Sequence, residues 1–294
     1  MRKHLTNHNE LIGHIFLLPW ILGLFGLTLF PMIASLYLSF THYDLLTPAR
    51  WAGLGNYIQL FGDPKFLKSL GVTFRFVLIS VPFQLAFALL VAVVLKRNRR
   101  GVRIYRAIYY LPSLFGGSVA VAILWRRIFG KDGLVNLVLG WFGIKGVSWI
   151  TTPSTALTTL IILAIWQFGS SMVIFLASLK QIPQDYYEAA SIDGAGKVRQ
   201  FFSITLPLLT PMVFFNVVMT IISSFQSFTP SYIVSGGTGG PLDATLLYSL
   251  YIYIKGFTQF QMGYASAMAW MLLFIIGAFT GLIFLSAKRW VFYE

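Results

Sequence analysis

The sequence contains no cysteine, so disulfides, thiolate metal sites and cysteine nucleophiles are excluded. Charge is scarce as well: Asp, Glu, Lys and Arg make up 11% of the 294 residues, against about 25% in soluble domains. A chain this poor in charge cannot cover a water-facing surface. Acid is the scarcer sign, with nine Asp and Glu against twenty-two Lys and Arg. No G-x-x-x-x-G-K-[ST] cradle occurs, because Gly130-Lys131 and Gly196-Lys197 are followed by Asp132 and Val198; a loop to hold ATP phosphates is missing. The four histidines are His4, His8, His14 and His42. None lies in a later apolar run, so Ser170 lacks the base that an intramembrane serine protease needs.

What the chain has is apolar length: 57% of its residues are hydrophobic and its mean hydropathy is +0.75. A bilayer core about 30 Å thick takes roughly 20 apolar residues in helix. Six runs qualify, at 15–40, 72–95, 104–125, 156–179, 208–228 and 264–287. The chain reads as an all-α integral membrane protein of about six transmembrane helices. Its membrane domain, 15–287, lies between an N-terminal segment 1–14 and a tail 288–294. The first run follows Arg2 and Lys3 as a signal peptide would. It nevertheless exceeds the usual roughly 7–15-residue apolar stretch and ends in no A-x-A-like site, so a retained anchor is expected. The connection 229–263 holds its own apolar piece, 246–254, expected as a short helix packed on the outer face.

An even number of spans puts both termini on one side, and Lys/Arg bias selects which. The termini, the loop with Lys96, Arg97, Arg99, Arg100, Arg103 and Arg106, and the loop with Lys180, Lys197 and Arg199 hold thirteen bases; the other side holds nine. Both termini are therefore expected in the cytoplasm. Anionic headgroups account for the net +13 better than nucleic acid does, since the bases occupy short segments between apolar runs.

The cytoplasmic loop 183–207 has its own pattern. Pro183 suits the first turn of a helix, where its missing N–H would be unpaired anyway. Asp185 and Glu188 put negative charge near the positive end, and Tyr187, Ala190 and Ser191 fall on one side. Asp193-Gly194-Ala195-Gly196 is a strong breaker, after which Val198 to Thr205 can restart a helix before Pro207. A helix–turn–helix held on the cytoplasmic face results.

The spacing E-A-A-x3-G-x9-I-x-L-P is met by Glu188, Ala189, Ala190, Gly194, Ile204, Leu206 and Pro207. It resembles the coupling loop of ABC importer permeases, and Tyr186-Tyr187-Glu188-Ala189-Ala190 with Ile192-Asp193-Gly194-Ala195-Gly196 resembles the carbohydrate-uptake type of the maltose and glycerol-3-phosphate systems. Pro31 through Asp44 looks like the first span of the "first" permease of such pairs, and Gly236-Gly237-Thr238-Gly239-Gly240-Pro241 like their outer loop. The resemblance implies a type I ABC importer transmembrane domain in a bacterial or archaeal cytoplasmic membrane. It implies as partners a second, homologous permease, two ATPase subunits carrying ATP and Mg, and an extracytoplasmic solute-binding protein. This chain would then hold no cofactor or metal and perform no catalysis. Glu188, Ala189, Ala190, Asp193, Gly194 and Gly196 would meet a groove on an ATPase subunit.

A transport path needs polar groups turned from lipid. Thr220, Ser224 and Ser227 follow i, i+4, i+7, flanked by Asn216, Ser223 and Gln226; span four offers Trp166, Gln167, Gly169, Ser170 and Ser171. Hydroxyls and amides beside aromatics suit sugars, and the resemblance carries substrate contact onto Thr220, Ser224 and Ser227. Small and hydroxylated residues serve interhelical packing equally, so both uses stay open. No Asp or Glu lies within the six runs, which argues against an ion-coupled secondary transporter. Outside, nine bases against Asp44, Asp63, Asp132 and Asp243, with Arg126 and Arg127 expected at the outer end of span three, suggest a mouth for acidic sugars; snorkelling to headgroups is the alternative.

Overall fold

The structure is a computed structural model describing residues 16–96 and 101–292. The segment 1–14, Arg97, Arg99, Arg100 and the last two residues of the tail lie outside those residues. Along the chain, α1 (Phe16–Ser39) leads to a two-residue hairpin of β1 (Thr41–His42) and β2 (Arg50–Trp51), then α2 (Gly55–Gly62) and α3 (Pro64–Leu95). There follow α4 (Val102–Phe115), α5 (Val119–Ile128), α6 (Leu134–Trp141), α7 (Pro153–Trp166), α8 (Gly169–Gln181) and α9 (Gln184–Ile192). α10 (197–225) runs from Lys197 through a π turn, Phe201–Thr205, into Leu206–Phe225; α11 (Thr229–Val234), α12 (Tyr248–Tyr253) and α13 (Met262–Trp290) complete the chain. Among the described residues, five helical stretches are long and apolar enough to cross a membrane, and α4 with α5 makes a sixth if that bent pair counts as one.

Three expected spans change shape. The second begins eight residues early, because Asp63 caps it: its Oδ1 accepts the Lys65 N–H at 2.9 Å and Pro64 supplies a fixed φ at the first position. The third is not one span: α4 and α5 are bent by 101°. Gly116-Gly117 break the helix, and Ser118 restarts it by accepting the Val121 N–H. Hydropathy counts apolar residues and passes over such a cap. The fourth is interrupted between α7 and α8, where Gln167 leaves helical geometry (φ −84°, ψ 28°). The helix restarted after the turn at 193–196 does not stop before Pro207 either. The Leu206 N–H bonds the Phe201 carbonyl five residues back, and this wider turn takes up the strain of a proline inside a continuous helix.

Packing divides the chain into two compact units, Met1–Gly62 with Lys255–Met271 and Asp63–Ile254 with Leu272–Glu294. In the first, buried Asn56 donates to the carbonyls of Ser39 (2.8 Å) and Thr41 (2.9 Å), closing the turn between α1 and β1. Phe40 stacks on Trp51 at 5.8 Å. Thr47 donates to Asp44 from its backbone and hydroxyl, holding that carboxyl below the usual range. Among the described residues nothing in the apolar window of α1 is buried.

In the second unit, α3 is the central helix, packed against α7, α8 and α10. The apolar piece in the connection 229–263 is a helix, α12, but it is buried rather than laid on a surface: Leu246, Leu247, Tyr248 and Leu250 are at most 1% exposed. The Tyr248 N–H, at a helix start where no intrahelical acceptor is in reach, donates to Thr73 Oγ1 at 2.8 Å, and the Tyr251 hydroxyl donates to Asp63 Oδ2 at 2.6 Å.

Candidate functional site

Two places carry the sequence-predicted residues. The first is the loop 183–207. Pro183 precedes α9, and Asp185 stands in its first turn. α9 ends in a Schellman motif: Ala195 N–H bonds the Ala190 carbonyl (2.8 Å) and Gly194 N–H the Ser191 carbonyl (3.1 Å), with Gly194 at φ +77°, a conformation glycine adopts without strain. Gln200, 3% exposed, locks the turn by donating to Ser191 Oγ (2.8 Å) and the Ala195 carbonyl (3.0 Å). Tyr187 shares a 2.9 Å hydrogen bond with Thr205 Oγ1 and carries the Lys96 ammonium 4.4 Å above its ring. The elbow is thus stiff, yet Glu188, Ala189, Asp193, Gly194 and Gly196 are exposed and Ala190 half-buried. Two apolar side chains beside them, Ile192 and Val198, are 88% and 73% exposed. A Cβ added at Gly196 would meet nothing within 4 Å, and its φ of −67° suits any residue. Nothing among the described residues requires glycine there.

The second place is where the two helix breaks meet. Gly116 ends α4 with an unpaired carbonyl, and Gln167 Nε2 donates to it at 3.0 Å. Gln167 ends α7 with its own orphan carbonyl, which accepts from Ser113 Oγ at 2.9 Å and Gln84 Nε2 at 3.2 Å. Ser113 Oγ also accepts the Ser170 N–H that opens α8, at 3.0 Å. Each break satisfies the other, as backbone freed within hydrocarbon must be satisfied by protein. The glycines permit the approach. A Cβ at Gly116 would fall on the Gln167 side chain, and one at Gly169 would stand 2.5 Å from the Tyr109 carbonyl.

Beside this junction opens a cavity of about 280 Å³ lined by Gln84, Gln167, Ser223, Ser224, Gln226 and Ser227, with Phe76 and Phe228 among its apolar walls. Its lining holds no titratable side chain. It offers amide and hydroxyl groups beside aromatic faces, the chemistry of a neutral polyhydroxylated guest rather than of a proton or metal relay. Of the residues predicted for a path, Gln167, Ser224, Gln226 and Ser227 come together here. Thr220 and Asn216 are buried but do not line the cavity; Asn216 Nδ2 bonds the Met212 carbonyl of its own helix at 2.9 Å. Ser227 lies past the end of α10, so the three-residue stripe is only partly helical. Trp166 packs on Trp125 at 5.4 Å. Gln84 and Gly116 escaped the sequence reading. Gln84 is the one amide in the second apolar run, a signal that was available. Arg126 and Arg127 fall in the last turn of α5 and are exposed, on a helix turned away from α4 rather than continuing it.

Residues 53–291 match the family described as "Binding-protein-dependent transport system inner membrane component". The chain is 56% identical over 288 residues to the "Probable ABC transporter permease protein YesP" of Bacillus subtilis (strain 168), covering 97% of this chain and 93% of that one. It is 32% identical to the "Lactose transport system permease protein LacF" of Rhizobium radiobacter, covering 98% of each. Its fold is similar to a chain of a bacterial ABC transporter involved in the import of the acidic polysaccharide alginate, with a TM-score of 0.78, 21% identity, and coverage of 98% and 99%.

Proposed function

The chain belongs to the inner-membrane components of binding-protein-dependent transport systems, and from that premise we propose that it passes a sugar or short oligosaccharide through the cavity beside Gln167. As a permease of this family it is a multi-pass inner-membrane subunit and does not itself hydrolyse ATP. The observation that carries the sugar reading is the cavity lining: the amide and hydroxyl side chains of Gln84 from α3, Gln167 at the end of α7, and Ser223, Ser224, Gln226 and Ser227 from α10 and the turn after it, an aromatic wall, and no ionisable group. That one relative carries lactose and a fold neighbour serves alginate supports the same class.

Drive comes from two ATPase subunits that carry ATP and Mg, one of them docked on the loop 183–207 of this chain. Glu188 makes a polar contact in their groove, and Ala189, Ala190, Asp193, Gly194 and Gly196 allow close approach; the exposed Ile192 and Val198 supply apolar contact of the kind an interface covers. A second, homologous permease completes the passage, both termini face the cytoplasm, and a binding protein delivers the sugar outside. ATP closes the ATPase pair and the coupling loops carry that motion to the spans, opening them outward; hydrolysis resets them inward. Glu188→Ala is expected to lower sugar-stimulated ATPase activity of the reconstituted complex while membrane insertion stays intact. Wild-type uptake and subunit co-purification in that variant would remove the assignment.

A preference for acidic sugars is a second reading, favoured by the exposed Arg126 and Arg127 and by nine bases against four acids on the outer side. It predicts stronger ATPase stimulation by acidic than by neutral oligosaccharides, each supplied with its binding protein. Equal stimulation sinks it.

A further inference from the structure

Just past the coupling loop, α10 contains two prolines one turn apart, Pro207 and Pro211. Pro211 has no N–H, so the Pro207 carbonyl loses its helical donor. Thr210 fills the gap: its Oγ1 donates to the Pro207 carbonyl at 2.6 Å. The same oxygen accepts the backbone N–H of Phe292 at 2.8 Å. A hydroxyl gives one hydrogen and accepts through its lone pairs, so both bonds are held at once. Phe292 follows α13, whose last turn is itself fixed. The Trp290 indole donates to Ser286 Oγ at 3.2 Å, and Phe214 packs edge-on against Phe284 at 4.8 Å. Phe292 also lines a cavity of about 290 Å³ with Ile182, Pro183, Leu208, Pro211 and Met212. It therefore stands beside both roots of the loop, where the chain leaves α8 and where it joins α10.

We propose that Thr210 is a positioning residue that straps the segment after α13 to the base of the coupling loop, so that motion of the loop reaches α13 as well as α10. Two prolines and a π turn leave the base of α10 short of helical hydrogen bonds, which makes it the soft point of the lever. A lever that flexes at its base loses stroke, and the strap bridges that point. The inference rests on the reading of 183–207 as the ATPase dock.

The test uses the whole complex, permeases and ATPase subunits, reconstituted with its binding protein, and measures sugar transported per ATP hydrolysed. Thr210→Val keeps the shape and removes both bonds, whereas Thr210→Ser keeps them. Phe292→Pro removes the N–H together with the phenyl ring, whereas Phe292→Ala removes the ring and keeps the N–H. Thr210→Val and Phe292→Pro are each expected to lower the ratio about three- to tenfold, the scale of one lost hydrogen bond. The double variant should fall no further, and the Ser and Ala variants should behave as wild type. A wild-type ratio in Thr210→Val, or a loss in Thr210→Ser equal to that in Thr210→Val, overturns the strap. Should Thr210→Val fail to assemble, the Phe292→Pro and Phe292→Ala pair decides by the same ratio. Because the chain has no cysteine, Ala189→Cys gives a unique cross-linking position. If it joins the ATPase subunit while Thr210→Val couples normally, only the strap is lost; if it does not join, the docking reading fails and the strap falls with it.

Discussion

The elbow at 183–207 and the cavity junction use the same materials, glycine, glutamine and hydroxyl side chains, to opposite ends. In the elbow the stitching is local. Gln200 reaches Ala195 and Ser191, five and nine residues away, and Tyr187 reaches Thr205 eighteen residues on. At the junction, Gln167 meets Gly116, Ser113 and Gln84 across 51, 54 and 83 residues. The glycines differ too. Gly169 is demanded by the chain's own packing, whereas Gly196 has open space around it. A glycine that its own fold does not need, on a surface with exposed Ile192 and Val198, is what the proposed dock for an ATPase subunit uses.

The sharpest way to break this contrast is to add one methyl group to each kind of glycine. Gly169→Ala drives a Cβ to 2.5 Å from the Tyr109 carbonyl and 2.8 Å from Ser113 Oγ. Backbone cannot yield as a flexible side chain does, so a loss of about 1–3 kcal/mol is expected, read as a lower melting temperature of the purified chain in detergent. An unchanged melting temperature would mean that the junction is loosely packed. Next in size is Gln200→Leu, which removes two short bonds from a buried amide and costs about 2 kcal/mol. Hydrogen exchange should rise across 184–196 and stay unchanged around 111–118; an equal rise in both would erase the independence of the two regions. Smallest is Gly196→Ala, expected to shift stability by less than about 0.5 kcal/mol while lowering sugar-stimulated ATPase activity of the complex. Full activity there would argue that no partner fills the space beside it.

The elbow was legible because its signals are short-range. The Pro183 start, the Gly194 turn and the small-residue face can all be read within one stretch of chain. Gln200 was passed over, a residue whose role appears once both arms are folded back, and so was the Lys96 ammonium that sits over Tyr187 from 91 residues away. The span count was legible from apolar run length, but the run 104–125 hid a 101° turn, since Gly116-Gly117-Ser118 costs little in hydropathy and much in helical continuity. The polar stripe on α10 was half informative. Ser224 and Ser227 reach the cavity, while Thr220 and Asn216 turn into packing, because periodicity locates a face and not the neighbour that covers it.

By itself, then, the sequence determined an all-helical membrane chain without an ATP cradle, and a stiff elbow at 183–207 built from local turn chemistry. Tertiary structure alone decided that two interrupted helices meet at Gln167, that α12 is buried, and that Phe292 is tied to Thr210. The reason is physical. Apolar length and capping act on residues near in the chain, but a broken helix in lipid leaves backbone groups that only a distant segment can satisfy, and no local pattern names that segment.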